Sequence, residues 1–278
     1  MRYTISLSRG ATRFIASGLF IALLSALAVP MLDVAAAPLA ATSPSLGAAA
    51  SFSVLAGATV TNTGPTIVPG DLGVSPGSSV TGFPPGIVGP PGAIYAAAMP
   101  AADAQSATAT AFNALDQPCD TTYPGAKDLV GETLVPGVYC ADSFALSGAL
   151  TLSGAGVWIF KSASSLTTTG NANVVGGNPC NVWWRVGSSA TLGTSTSLIG
   201  SMLASASISM LTGASLDGRA LAQNGAVTLD NNTFSSPPCA AAATPVPTAT
   251  DTLVPTATST AGPSPTDTSV PTATSTAG

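Results

Sequence analysis

Few side chains in this 278-residue chain are suited to acid–base or covalent chemistry, and their spacing decides how far that chemistry can go. There is no histidine, so a serine or cysteine nucleophile has no imidazole to take its proton. Paired carboxylates are the other route, since two Asp or Glu side chains flanking a glycosidic bond would serve a glycosidase. The candidates are Asp217 and Asp230, with Arg219 close to the first in LDGRAL (216–221). An Asp and an Arg so close in sequence more often form a structural ion pair at a chain corner; that reading is favoured, and no catalytic residue is assigned. Cys119, Cys140, Cys180 and Cys239 contain no CxxC pair, and without histidine a zinc site, or any other metal or cofactor, is not expected. They read as structural disulfides. Of the three pairings open to four cysteines, Cys119 with Cys140 would close a loop and Cys180 with Cys239 would tie the chain's end to its body; this pairing is favoured.

What remains is a chain only 7% charged, with a formal net charge of -5. Three of its seven basic residues lie in the first thirteen positions, so no basic stripe is left for phosphates and nucleic acid is not an expected partner. The N-terminus reads as an export signal over residues 1–41: a basic start, the apolar run 14–29, then small residues suited to cleavage. The run is too short for a spanning helix, so no membrane association is expected after cleavage, and the protein is expected outside the cell. From residue 243 to 278 the composition shifts to Pro and Thr, with VPTATSTAG repeated at 254–262 and 270–278. Such a tract buries nothing and reads as an extended stalk, able to hold the protein at a cell surface.

Residues 45–239 lie between these segments and suffice for one domain. Internal repeats dominate it. SSLTTTGNANVVG (164–176), SSATLGTSTSLIG (188–200), ASISMLTGASLDG (206–218) and AVTLDNNTF (226–234) stack with Thr167, Thr191, Ser209 and Thr228 in one column, and with Val174, Leu198 and Leu216 in another. Irregular repeats of short alternations punctuated by Gly or Asn predict a mostly β solenoid. ATVTNTGPTIVPG (58–70) and SSVTGFPPG (78–86) fit the template less well. One segment differs: residues 100–117 are free of Gly, open on Pro and place Ala104, Ala107, Ala111, Phe112 and Leu115 at helical spacing, which predicts one long helix against the solenoid wall. Residues 118–148, with two cysteines and most of the local charge, read as a loop-rich cap or insertion. Trp183 and Trp184, adjacent in a predicted strand, should face opposite sides.

A column of Thr, Ser and Asn on stacked strands makes a flat, rigid, uncharged face. Thr is stiff about its first side-chain torsion, so little entropy is lost when something ordered docks there. The fitting ligand is itself a lattice: ice, or a polysaccharide or cell-surface polymer; the lack of charge argues against a mineral.

The segments 46–86, VWIFKSASSLTTTG (157–170), CNVWWRVGSSATLGT (180–194) and SLDGRALAQNGAVTLDNNTF (215–234) closely resemble the secreted microbial ice-binding-protein family. The resemblance covers about 46–234 and implies an irregular right-handed β-helix of triangular section with one long α-helix packed alongside. It further implies adsorption to ice by one flat β-face, as a monomer. Some members of that family carry a T-[A/G]-x-[T/N] motif in the face. Here Thr63-Gly64-Pro65-Thr66 matches it, and Thr212-Gly213-Ala214-Ser215 departs only in its final Ser. The repeat alignment adds Thr194 and Ser197, then Asn173, with Asn231 in the next coil. Gly170 supplies no side chain and Ser lacks a methyl, so the implied activity is modest. Asn231-Asn232-Thr233 is also a glycosylation sequon in a eukaryotic host.

Overall fold

The computed structural model describes residues 40–235 and Cys239. The Pro/Thr tract and nearly all of the expected export signal lie outside these residues. Among them, short strands form two parallel sheets, one of fifteen strands and one of eight, together with a single α-helix, Met99–Ala114. No helix among the described residues is long and apolar enough to cross a membrane.

The repeat spacing read from the sequence is the strand register. In the eight-stranded sheet, here sheet 2, Thr167 pairs with Thr191, Thr191 with Ser209 and Ser209 with Thr228. Alternation within each strand sends Leu166, Ala190, Ile208 and Val227 inward, where all are buried. The fifteen-stranded sheet 1 has two branches that share the long strands Ser197–Ala204 and Ser215–Ala222. Their leading halves pair towards Asn173–Gly176 and Thr233–Ser235, and their trailing halves towards Val182–Val186 and Phe52–Ala56. Gly200 and Gly218 pair at the junction, each with positive φ, so the strands change direction there.

Strand order departs from chain order at one place. Thr59–Thr63 lies between Ser79–Thr81 and Val227–Asp230, so the first strands of the domain extend the stack beyond its last. The helix then returns the chain towards the opposite edge, where Thr121–Thr122 and Ala126–Asp128 pair. Sixteen residues of helix span about 24 Å, roughly five strand spacings, which matches that task.

Two apolar clusters hold the structure. One lies inside the strands and contains a stacked run, Tyr139–Phe160–Trp184, with centroids 5.6 and 4.2 Å apart. The other joins the outer side of sheet 1 to the helix through Ala101, Ala104 and Ala111 against Phe52, Leu55, Leu203 and Leu221. Trp183 and Trp184 divide between the two clusters, as alternation requires. The helix C-terminus is fastened by cations, which suit its exposed carbonyls: Arg185 Nε donates to Phe112 O and Lys161 Nζ to Gln117 O.

Residues 118–148 differ from expectation. They hold five strands, each paired into a ladder, in place of a loop-rich insertion. Their charges are local fasteners: Lys127 Nζ bridges Glu132, and Asp128 accepts from Ser147 Oγ. Both disulfides form as favoured, Cys119–Cys140 and Cys180–Cys239.

Candidate functional site

The outer surface of sheet 2 is built from hydroxyl ladders. Parallel pairing fixes one column as Thr81, Thr61, Thr228, Ser209, Thr191 and Thr167, all at least partly exposed. Neighbours in such a column stand about 4.8 Å apart, with the next outward column about 6.7 Å along the strand. That next column contains Ser143, Ser165, Ser189 and Ser207, all partly exposed. Ser189 and Ser207 turn their oxygens to backbone N–H groups of adjacent strands, at 3.3 and 3.2 Å. The threonine column is less committed; Thr61 and Thr228 meet at 3.5 Å. Charge on this sheet is confined to Lys127 and Asp128 on the edge strand, and to Asp230.

Two residues past the threonine column the chain leaves sheet 2 through a turn held by a positive-φ residue, namely Asn171, Ser195, Gly213, Asn231 or Gly64 in successive passes. Most of the motif residues gather at this corner, in three settings. Thr194, Thr212 and Thr63 are exposed on the sheet 2 side, and Asp230 pairs with Thr63 and accepts a hydrogen bond from Thr212 Oγ1. Asn231 occupies the turn itself, exposed. Asn173, Ser197 and Ser215 form one register column across the corner on sheet 1, which continues through Thr233 to Ile67. Asn231 is thus not the next member of that column; Thr233 is.

Thr66 is a correction. It is fully buried and donates to Asn62 Oδ1, so it presents nothing to a surface. The physical reason is register: the first motif reaches sheet 1 one residue later than the others, placing Ile67 opposite Thr233 and Thr66 inside the corner. There it accepts from the Asn232 N–H, while Asn232 Nδ2 donates to Leu211 O and Ala214 O. Thr168 and Thr196, 2.7 Å apart, fill the same inner corner in the passes that turn at Asn171 and Ser195.

The carboxylate candidates are not gathered. Asp217 pairs with Ile199 and Ser235 on the leading branch of sheet 1, where partial burial raises its pKa above the ordinary carboxylate value. Arg219 belongs to the trailing branch, opposite Ser201, and makes no ion pair with Asp217. The bend at Gly218 sends two side chains that a regular strand would put on one side into different surroundings. Asp230 lies on sheet 2. Among the described residues, no cluster of three or more His, Cys, Asp or Glu could hold a metal ion.

Stacked short parallel strands, repeated hydroxyl columns and one bracing helix place the chain among the repeat-built β proteins. The sequence model of the Ice-binding-like family matches residues 54–235, and the chain belongs to that family. It is similar to an ice-binding protein of Nostoc sp. (strain HG1), 48% identical over 205 residues that cover 71% of this chain and 76% of the relative. Among solved structures it is similar to the crystal structure of the ice-binding protein of the Antarctic ascomycete Antarctomyces psychrotrophicus, with 41% identity and a TM-score of 0.66, covering 69% of this chain and 97% of that one. An ice-binding protein from an Antarctic biological consortium aligns with 40% identity and a TM-score of 0.67, covering 71% of this chain and 92% of that one.

Proposed function

We propose that the protein adsorbs to ice through the outer surface of sheet 2 and its corner column, and so restrains crystal growth. The observation that carries this reading is the unbroken Ser/Thr column from Thr81 to Thr167. β-Branched Thr holds a methyl and a hydroxyl in a fixed orientation on a rigid ladder, so water can be ordered over it at little entropic cost. Thr63, Thr194 and Thr212 extend the array at its margin, whereas Asn173, Ser197 and Ser215 face another direction on sheet 1. In this reading the sheets wind as an irregular right-handed β-helix of triangular section, with residues 118–148 as its end coil and cap. The protein acts outside the cell as a monomer without catalytic activity, and the Pro/Thr tract serves as a stalk.

Thermal hysteresis and ice-crystal shape of the purified protein test the proposal. Wild type should give faceted crystals. Thr191→Tyr, Thr228→Tyr and Thr212→Tyr should lose most of the hysteresis while keeping the wild-type circular dichroism spectrum, because Tyr is well tolerated on an exposed strand. Ser215→Tyr should retain most of it. Loss in Ser215→Tyr with retention in Thr191→Tyr would move the site to sheet 1. Round, freely growing crystals from folded wild type would remove the ice reading and favour a polymer-binding one.

A further inference from the structure

Arg219 is 5% exposed, and among the described residues no carboxylate comes within 4 Å of it. A guanidinium stays charged even where burial lowers its pKa, so this is a buried cation without a counter-charge. Three of its donor nitrogens are accounted for: Nε and Nη2 both donate to Ala50 O, at 3.1 and 2.9 Å, and Nη1 makes a long contact of 3.7 Å with Cys239 Sγ. A guanidinium carries five N–H bonds, so among the described residues one on each Nη has no partner. Beside Arg219 is a cavity of about 400 Å³, lined among others by Ser45, Leu46, Asn178, Asn181 and Trp183. It is flanked by residues 43–47, of which Ser43 Oγ accepts from Trp183 Nε1 at 3.0 Å, and by the Cys180–Cys239 disulfide.

We infer that this cavity binds a small organic monocarboxylate with a hydroxylated body, in chemistry a hexuronic acid, for which its volume is ample. A planar guanidinium with an unpartnered N–H on each Nη suits the two oxygens of a carboxylate. Arg219 is the only cation in the described lining, so a dianion such as sulfate or a phosphate monoester would be half compensated. The amides of Asn178 and Asn181 and the hydroxyl of Ser45 suit ring hydroxyls, while Leu46 and Trp183 offer an apolar wall to ring C–H groups. The cavity is walled by the trailing branch of sheet 1, apart from the hydroxyl columns of sheet 2, so the inference does not depend on the ice reading.

The experiment titrates sodium glucuronate into the whole protein and follows tryptophan fluorescence and melting temperature, with glucose and sodium chloride at matched ionic strength as controls. A saturable response with half-saturation near ~1–10 mM is expected for glucuronate alone. Arg219→Gln should weaken it at least ~tenfold by removing the charge-assisted pair. Because Arg219 also anchors Ala50, Asn181→Trp, which obstructs the cavity and leaves the guanidinium in place, is the second variant and should weaken binding similarly. No response up to about 50 mM, an equal response to glucose, or an unchanged response in both variants would overturn the assignment.

Discussion

Gly200 stands where the strand Ser197–Ala204 bends from one branch of sheet 1 into the other, with φ +103. A Cβ there would lie 2.4 Å from Val182 O, a backbone atom held in the ladder and unable to retreat. Gly200→Ala is therefore expected to cost about 1–3 kcal/mol, from the left-handed backbone and the clash together. Gly131, also at positive φ but with nothing within 4 Å of its would-be Cβ, supplies the comparison. Its Ala variant should lose roughly 1 kcal/mol or less, so thermal denaturation of the two separates contact from conformation. Asp116 makes a prediction about pH. A hydrogen bond from Lys161, then the charges of Lys161 and Arg185, hold its carboxyl below its ordinary value of 3.8. The folded pKa is the lower one, so this stabilisation is present above the unfolded value and is lost as pH falls through the folded value. Asp116→Asn should lower the melting temperature slightly at neutral pH and converge with wild type in strong acid. The side chain is 59% exposed, so screening keeps the difference below about 1 kcal/mol. A gap that widened on acidification would show that the pairing does not stabilise the fold.

The helix Met99–Ala114 depends on close approach to the wall of sheet 1. Ala101, Ala104, Thr108 and Ala111 recur at helical spacing and are fully buried, and no larger side chain on that face would allow the same separation. Ala104→Leu is expected to cost about 1–3 kcal/mol by overpacking, while Ala114→Leu, at an exposed position, should be neutral within about 0.5 kcal/mol. Comparable denaturant midpoints for the two would mean that the helix stands off the wall. This helix was legible in the sequence because Ala spacing and the absence of Gly agree, and the Thr167–Thr191–Ser209–Thr228 column because the repeats carry their own register. Three of the five strands between 118 and 148 have only two or three residues, too few to show a period, so charge and cysteine made the segment resemble a loop. The column's continuation through Thr61 and Thr81 was not legible because those strands join it out of chain order. At the corner, one extra residue before sheet 1 shifted the register and buried Thr66, and the bend at Gly218 separated Asp217 from Arg219. No local pattern signals either displacement.

At the scale of the molecule, the strands nearest the start of the domain complete the stack beside those nearest its end: Val54 pairs with Ala220, Thr61 with Thr228 and Ile67 with Thr233. A ribosome delivers these partners in the least convenient order. The strands Phe52–Ala56, Thr59–Thr63 and Ile67–Val68 emerge early, yet one side of each stays bare until residues 215–235 follow, after every intervening strand has been made. Contacts so far apart in sequence slow folding and lengthen the interval in which open edges can pair with a neighbouring chain. A circular permutant opened between Gln117 and Cys119, with Cys239 joined to residue 45 by a flexible linker, would keep every ladder and both disulfides and let synthesis add strands in spatial order. It should refold severalfold faster than the natural chain in stopped-flow fluorescence while melting at a similar temperature. Equal rates would mean that the seam between first and last strands forms after the step that limits folding. In the natural order that seam works as a completeness check, since a chain cut short before residue 215 leaves its own beginning without a neighbour.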